Sequence, residues 1–309
     1  MRVAAIDMGT NSTRLLVADV VDGRVEPVRR ESQVTGLGRG VEISGQLSTE
    51  ALESVFAATR DYLAIIGELG VADPFAFATS AARDADNSAA FIAELRERFG
   101  LQARILDGGE EAELTYLGAR GGCGDGSTMI IDIGGGSTEI VVGSGAEAAF
   151  HASLQLGVVR HTERHLHTDP PQTNELESLS EDVGTAIEAA LATSPGLRAG
   201  CGIAVAGTPA VLAAMDLGLD RIDHDRIEGH RLELATVQRL CSRLASLPLA
   251  ERRGLRGMDP DRAPTIVAGV VILIKAMRAF ALETITVSEH DILYGAAVRA
   301  AELHAASAG

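Results

Sequence analysis

The chain has 309 residues, with 43 acidic against 27 basic side chains and a formal net charge of −16. That length accommodates two domains, each with its own core, and the acidic balance excludes a surface that attracts nucleic acid or polyanions in general. Any affinity for an anion must then come from local donors, arginines and a divalent cation. Lys275 is the only lysine, which excludes a P-loop lysine. Cys123, Cys201 and Cys241 are odd in number, far apart and without metal-type spacing, and they read as reduced thiols. No basic, apolar leader follows Met1, and the longest apolar run, 266–274, stops at Lys275 and Arg278, so a soluble, cytoplasmic protein is expected.

Residues 2–7 read as a short strand, 7–12 as a turn, and 13–20 and 25–33 as two further strands. Gly36, Gly38, Gly40 and Gly45 mark an irregular loop, equally consistent with a functional edge and with a plain mobile connection. Ser48 is placed to cap a helix whose apolar residues Leu52, Val55, Phe56, Tyr62 and Ile66 share one face, with Gly70 as its stop. Strand 75–78 runs into Thr79, Ser80 and Arg83, two hydroxyls and a cation at a strand end, where open α/β sheets bind ligands. Asn87 opens the next helix. A strand at 104–106 leads into a helix that begins with Glu110 and Glu111. Complementing the helix dipole suffices for Glu110, whereas for Glu111 it competes with a catalytic role.

After the glycine-rich stretch 121–126 the pattern of the first strands returns at 128–142. Asp7 matches Asp132, Gly9 matches Gly134, Ser12 matches Ser137 and Thr13 matches Thr138, a constant offset that marks an internal duplication and two similar domains facing a cleft. Gly134, Gly135 and Gly136 allow backbone N–H groups to approach an anion, Ser137 and Thr138 add hydroxyls, and the flanking carboxylates Asp132 and Glu139 suggest a metal-bound phosphate. His161 and His165 stand at i, i+4, but without a third ligand a solvated helix face is the expectation. Residues 176–191 read as a helix, and strand 202–206 ends in Gly207-Thr208 as strand 75–78 ended in Thr79-Ser80. Residues 227–247 read as mostly helical, Arg252, Arg253, Arg256 and Arg262 as a solvated basic loop, 265–281 as a buried helix, 284–287 as a strand, and 291–304 as a last helix.

Asp7-Met8-Gly9-Thr10-Asn11-Ser12, Ala78 through Arg83, Gly109-Glu110-Glu111-Ala112, Asp132 through Glu139, Gly207-Thr208, and Arg262-Ala263-Pro264 with Ala268-Gly269 form an ordered set along essentially the whole chain. The set resembles the exopolyphosphatase and guanosine pentaphosphate phosphohydrolase family, within the actin, sugar kinase and heat-shock ATPase superfamily. The resemblance implies an α/β fold of duplicated ribonuclease-H-like domains, 1–122 and 123–309, with the site in the interdomain cleft and the last helix packing back on the first domain. It implies Mg²⁺-dependent release of terminal phosphate, with Glu111 as the base for the attacking water and Asp132 and Glu139 at the metal and water. Asp7, Gly9, Thr10, Asn11, Ser12, Arg14, Arg83, Gly134, Gly135, Gly136, Ser137, Thr138, Gly207 and Thr208 are expected around the phosphates. The resemblance further implies a homodimer.

Two departures bear on the substrate. The chain ends where longer members add helical domains, which points to short polyphosphate or a nucleotide such as guanosine pentaphosphate. Leu293-Tyr294-Gly295 also stands where many members have Arg-Glu-Gly. A small-molecule kinase of the same superfamily and a non-catalytic nucleotide or polyphosphate sensor are the alternatives.

Overall fold

The computed structural model describes residues 1–120, 126–145 and 147–308. The domain boundary expected between Gly122 and Cys123, and Cys123 itself, lie outside the described residues. The chain forms two compact units, Met1–Gly118 together with the segment from Ile292 onward, and Ala119–Asp291.

The first unit contains β1 (Arg2–Met8), β2 (Ser12–Val21), β3 (Arg24–Val34), α1 (Val41–Ser44), α2 (Thr49–Glu68), β4 (Phe75–Ala78), α3 (Ser80–Asp84), α4 (Ser88–Phe99), β5 (Ala103–Ile105) and α5 (Gly108–Ala119). Its sheet has the order β3-β2-β1-β4-β5, an antiparallel meander followed by two parallel strands. β1 is apolar along almost its whole length because both faces are covered, as parallel sheets with helical crossovers require. The pleat sends Ala4, Ile6 and Met8 to one side, where Val55 and Phe56 of α2 and Phe91 and Leu95 of α4 complete a core. Val3 and Ala5 go to the other side, where they meet Leu114 of α5. Ser48 caps α2 by accepting the Ala51 N–H at 3.2 Å. Asn87 does not cap α4 with its side chain, which instead exchanges two hydrogen bonds of 2.9 Å with the backbone of Leu47.

The second unit contains β6 (Thr128–Ile133), β7 (Thr138–Ser144), β8 (Glu147–Leu154), α6 (Val158–His165), α7 (Thr173–Ala192), β9 (Cys201–Val205), α8 (Gly207–Asp216), α9 (His224–Ile227), β10 (Arg231–Glu233), α10 (Leu234–Ser246), α11 (Leu249–Arg253), α12 (Ile266–Ala279) and β11 (Thr284–Val287). The order β10-β11-β9-β6-β7-β8 repeats the first sheet, with β8-β7-β6-β9-β11 in place of β3-β2-β1-β4-β5 and one strand added at the edge. Both units are therefore ribonuclease-H-like, as the duplication in the sequence predicts. α12 is buried from Ile266 to Leu273 and forms the spine of this unit's core.

Three readings need correction. Residues 231–233 form the edge strand β10, because Leu232 is buried against β11 while its neighbours face solvent, and three residues are too few to interrupt a helical pattern in sequence. Arg252 is not in a solvated loop: it is 4% exposed, pairs with Asp169 at 2.9 Å and donates to the carbonyls of Leu247 and Ala263. Cys201 is disulfide-bonded whereas Cys241 is a free thiol, since separation along the chain does not determine which sulfurs meet in space.

The last helix, α13 (Ile292–Ala308), belongs to the first unit and packs on β1 and β2 through Ile292, Leu293, Ala296 and Ala297. Leu293 and Tyr294 are both buried, and Arg30 donates to the Tyr294 hydroxyl. Gly295 lies so close to α5 that a Cβ there would overlap the Leu114 carbonyl oxygen. Gly295→Ala should therefore force the two helices apart and lower stability by about 1–3 kcal/mol, read as a fall in the thermal midpoint. An unchanged midpoint would refute the close crossing.

Candidate active site

In each unit the turn between the first two strands is built the same way. Gly9 N–H donates to Ser12 C=O at 3.0 Å and Gly134 N–H donates to Ser137 C=O at 3.0 Å, and a Cβ at either glycine would lie 3.0 Å from that oxygen. The loop carbonyls are then tied back by a later segment. In the first unit Gly38 N–H donates to Thr10 C=O at 2.8 Å, and Thr35 and Gly36 N–H donate to Asn11 C=O at 3.1 and 2.9 Å. In the second, Val158 donates to Gly134 C=O and Val159 to Gly135 C=O, each at 2.9 Å, while the Arg160 guanidinium takes Gly136 C=O at 2.9 Å. With the oxygens held on one side, the loop N–H groups are left on the other, which is the form of an anion-binding nest. The loop at 36–45 is thus no plain connection: Thr35, Gly36, Leu37 and Gly38 are buried and brace the first turn.

The carboxylates follow the strand register. Asp7 lies opposite Arg14, which donates to Asp7 Oδ2 from Nη2 at 2.5 Å and from Nε at 3.0 Å. At the same register in the second unit Asp132 lies opposite Glu139, so two buried carboxylates replace an ion pair. Glu139 Oε1 accepts from the Ser153 hydroxyl at 2.8 Å, and Ser153 is its partner across β7 and β8. Sequence reading passed over Ser153, although counting residues through the β7–β8 turn finds it. Asp132 and Glu139 offer carboxylate oxygens, the ligand type that suits a hard divalent cation such as Mg²⁺.

Glu110 and Glu111 divide their work. Glu110 exchanges hydrogen bonds with Asp107 at 2.9 and 3.0 Å, a reciprocal cap, and pairs with Arg104 at 2.7 Å. Glu111, 7% exposed, is held by Arg83, which bonds Glu111 Oε2 at 3.0 Å and Leu106 C=O at 2.9 Å. Arg83 therefore joins the end of β4 to the first turn of α5. The Thr10 hydroxyl accepts the Ala81 N–H at 3.1 Å, which fixes α3 to the first loop. Thr138 is fully buried and its hydroxyl donates to Leu156 C=O at 2.6 Å, so its side chain serves the core.

Gly207 and Thr208 open α8, after Ala206 at φ 75 and ψ −169, a conformation normally reserved for glycine that costs about 1–3 kcal/mol. The Arg262 guanidinium lies against Gly207, and Thr208 against Gly269, where any side chain would collide. Three separate motif fragments of the sequence thus meet at one place in the second unit.

His161 is fully buried, and Asp182 of α7 reaches both His165 at 2.9 Å and His161 at 3.5 Å, so the expected solvated face is overturned. These ligand atoms lie within 4.8 Å of one another. His161 Nδ1, however, accepts the Gly157 N–H at 3.2 Å, which puts the proton of the neutral ring on Nε2, the nitrogen that faces Asp182 and would have to ligate a metal. The group is a hydrogen-bonded brace for the start of α6.

These features define a duplicated actin-like fold in which each unit presents a glycine turn with its carbonyls tied back, one beside an Asp–Arg pair and one beside two carboxylates. The model of the Ppx/GppA phosphatase family matches residues 16–302. Exopolyphosphatase 2 of Mycobacterium tuberculosis is 36% identical over 96% of this chain and 98% of its own length. A crystal structure of an exopolyphosphatase-like protein superposes with a TM-score of 0.93 at 30% identity, covering 98% of both chains. An exopolyphosphatase from Cytophaga hutchinsonii gives a TM-score of 0.87 at 27% identity over 96% of each chain. The chain belongs to the Ppx/GppA phosphatase family. Among the described residues no helix is long and apolar enough to cross a membrane.

Two outcomes follow from this geometry. A Cβ at Gly157 would overlap the backbone of Gly135 and Gly136, so Gly157→Ala should push α6 off the loop and lower phosphate release at least about tenfold at unchanged secondary structure by circular dichroism. Burial, opposed by Asp182, pushes His161 down to about 4, so the unfolded chain binds its proton first as pH falls. His161 should therefore cost no stability above about pH 6.5, and up to roughly 3 kcal/mol below pH 4. Denaturant midpoints of wild type and His161→Leu should converge as pH drops through that window, and parallel curves would refute it.

Proposed function

We propose that this protein is a Mg²⁺-dependent phosphohydrolase that releases the terminal phosphate of short polyphosphate or of a nucleotide phosphoanhydride such as guanosine pentaphosphate. The observation that carries the reading is the Asp132–Glu139 pair, two buried carboxylates opposed across one hairpin and adjoining a glycine loop with its carbonyls held back. Carboxylate oxygens are the ligands a hard divalent cation takes, and hydrolysis of a phosphoanhydride requires such a cation. Asp132 and Glu139 would hold Mg²⁺, which neutralises charge on the phosphoryl oxygens when bound.

The remaining groups belong to the chain itself. The N–H groups of Gly135 and Gly136 receive phosphoryl oxygen at no reorganisation cost, since the loop is already fixed by α6. Glu111, buried and oriented by Arg83, accepts a proton from the attacking water. Arg83 holds that carboxylate in one orientation. No nucleophilic side chain is needed, because in-line attack by water demands positioning and charge neutralisation alone.

The test follows phosphate release from tripolyphosphate and from guanosine pentaphosphate with and without Mg²⁺. Release should require the metal, and Glu111→Gln should lower it by about 10²–10⁴, the usual worth of a general base. Undiminished turnover in that variant would remove Glu111 from the role. Transfer to an added acceptor in excess of release to water would overturn hydrolysis altogether.

A further inference from the structure

Arg39 follows the buried segment Thr35–Gly38 that braces the first loop, and it is exposed. Its side chain folds back over Gly36: a Cβ on that glycine would lie 2.6 Å from Arg39 Nε and 2.9 Å from Cδ and Cζ. Gly36 has φ +65, so the position tolerates the residue that leaves this space open. Gly36 N–H also donates to Asn11 C=O at 2.9 Å, and Arg39 N–H to Gly36 C=O at 3.0 Å. The guanidinium thus lies over Gly36, the residue whose N–H is bonded to the loop at 9–12.

The electrostatic setting sharpens this. In the same unit Arg2, Arg14, Arg29, Arg83, Arg98 and Arg104 each hold a carboxylate. Among the described residues no hydrogen bond or ion pair engages the Arg39 side chain, in a chain whose acidic residues outnumber the basic by 43 to 27. A guanidinium without a carboxylate partner, next to a turn of this form, has its full fork of donors for a phosphate.

We propose that Arg39 is a substrate-binding residue that grips a second phosphate of a phosphoanhydride while the loop N–H groups at 9–12 take the first. The inference deepens the proposed function and rests on it. It makes Arg39 the determinant by which a chain of phosphates is preferred to a single phosphate, since orthophosphate satisfies the loop alone.

The test compares wild type, Arg39→Gln and Arg39→Lys by calorimetric titration with tripolyphosphate and with orthophosphate in EDTA, where no turnover occurs. Tripolyphosphate affinity should fall about 10-fold or more in Arg39→Gln and less in Arg39→Lys, the loss expected for one charge-assisted contact, with orthophosphate affinity unchanged. In steady-state assays with Mg²⁺, KM for tripolyphosphate should rise about tenfold with kcat within about twofold, which marks lost ground-state binding. Equal tripolyphosphate affinity in wild type and Arg39→Gln overturns the proposal, as does an equal loss for both anions, which is the signature of general surface charge. Wild type that binds tripolyphosphate but never releases phosphate overturns the phosphohydrolase reading and leaves Arg39 to be judged by the binding ratio. Failure of wild type to bind either anion in EDTA overturns the Arg39 proposal, and the Mg²⁺ assay alone then decides the phosphohydrolase reading.

Discussion

Everything proposed for this protein depends on which way a few peptide groups face. A glycine-rich turn has equal numbers of carbonyl oxygens and N–H groups, and left alone it presents both. Here α6 takes the oxygens of Gly134, Gly135 and Gly136, and the segment at 35–38 takes those of Thr10 and Asn11. The turn is thereby converted from a neutral peptide into a set of aligned donors. That conversion is a packing result: it requires Gly157 to let α6 approach the loop backbone, and Gly38 to lie against Thr10 and Ala81.

The fold serves this constraint in both halves. Each central strand, β1 or β6, is apolar on both faces and is clamped between an antiparallel partner and a parallel one, so its terminal Asp has little freedom. α12 and its core hold α6 and α8, and therefore both the glycine loop and the Gly207-Thr208 corner, on one rigid body. α13 performs the corresponding task for α5 by a backbone-to-backbone approach at Gly295, which secures the helix that carries Glu111. The acidic surface does not attract a phosphate, and fixed dipoles with locally confined arginines compensate at short range.

Much of this was legible in the sequence. The offset that relates Asp7, Gly9 and Ser12 to Asp132, Gly134 and Ser137 gave the duplicated sheet, because a strand buried on both faces and ended by a glycine turn has few other solutions. The separate duties of adjacent Glu110 and Glu111 were also foreseeable, since only one of them can reach back to the helix start. What escaped reading depends on long-range approach. Nothing local tells that Asp182 gathers His161 and His165, that Arg252 is buried on Asp169, or that Cys201 is disulfide-bonded. β10 escaped for the opposite reason, being too short to carry a period, and Arg39 because an arginine in a glycine loop reads as solvent-facing until its missing partner is noticed.

The register that places Arg14 across from Asp7 and Glu139 across from Asp132 separates two hairpins otherwise built alike. One residue on the second strand of each sets a cation across from the Asp in one half and a second carboxyl group in the other. Two hairpins of one pattern have in this way become unlike parts. The two turns, alike in backbone, thus differ in the electrostatic setting each offers to an anion.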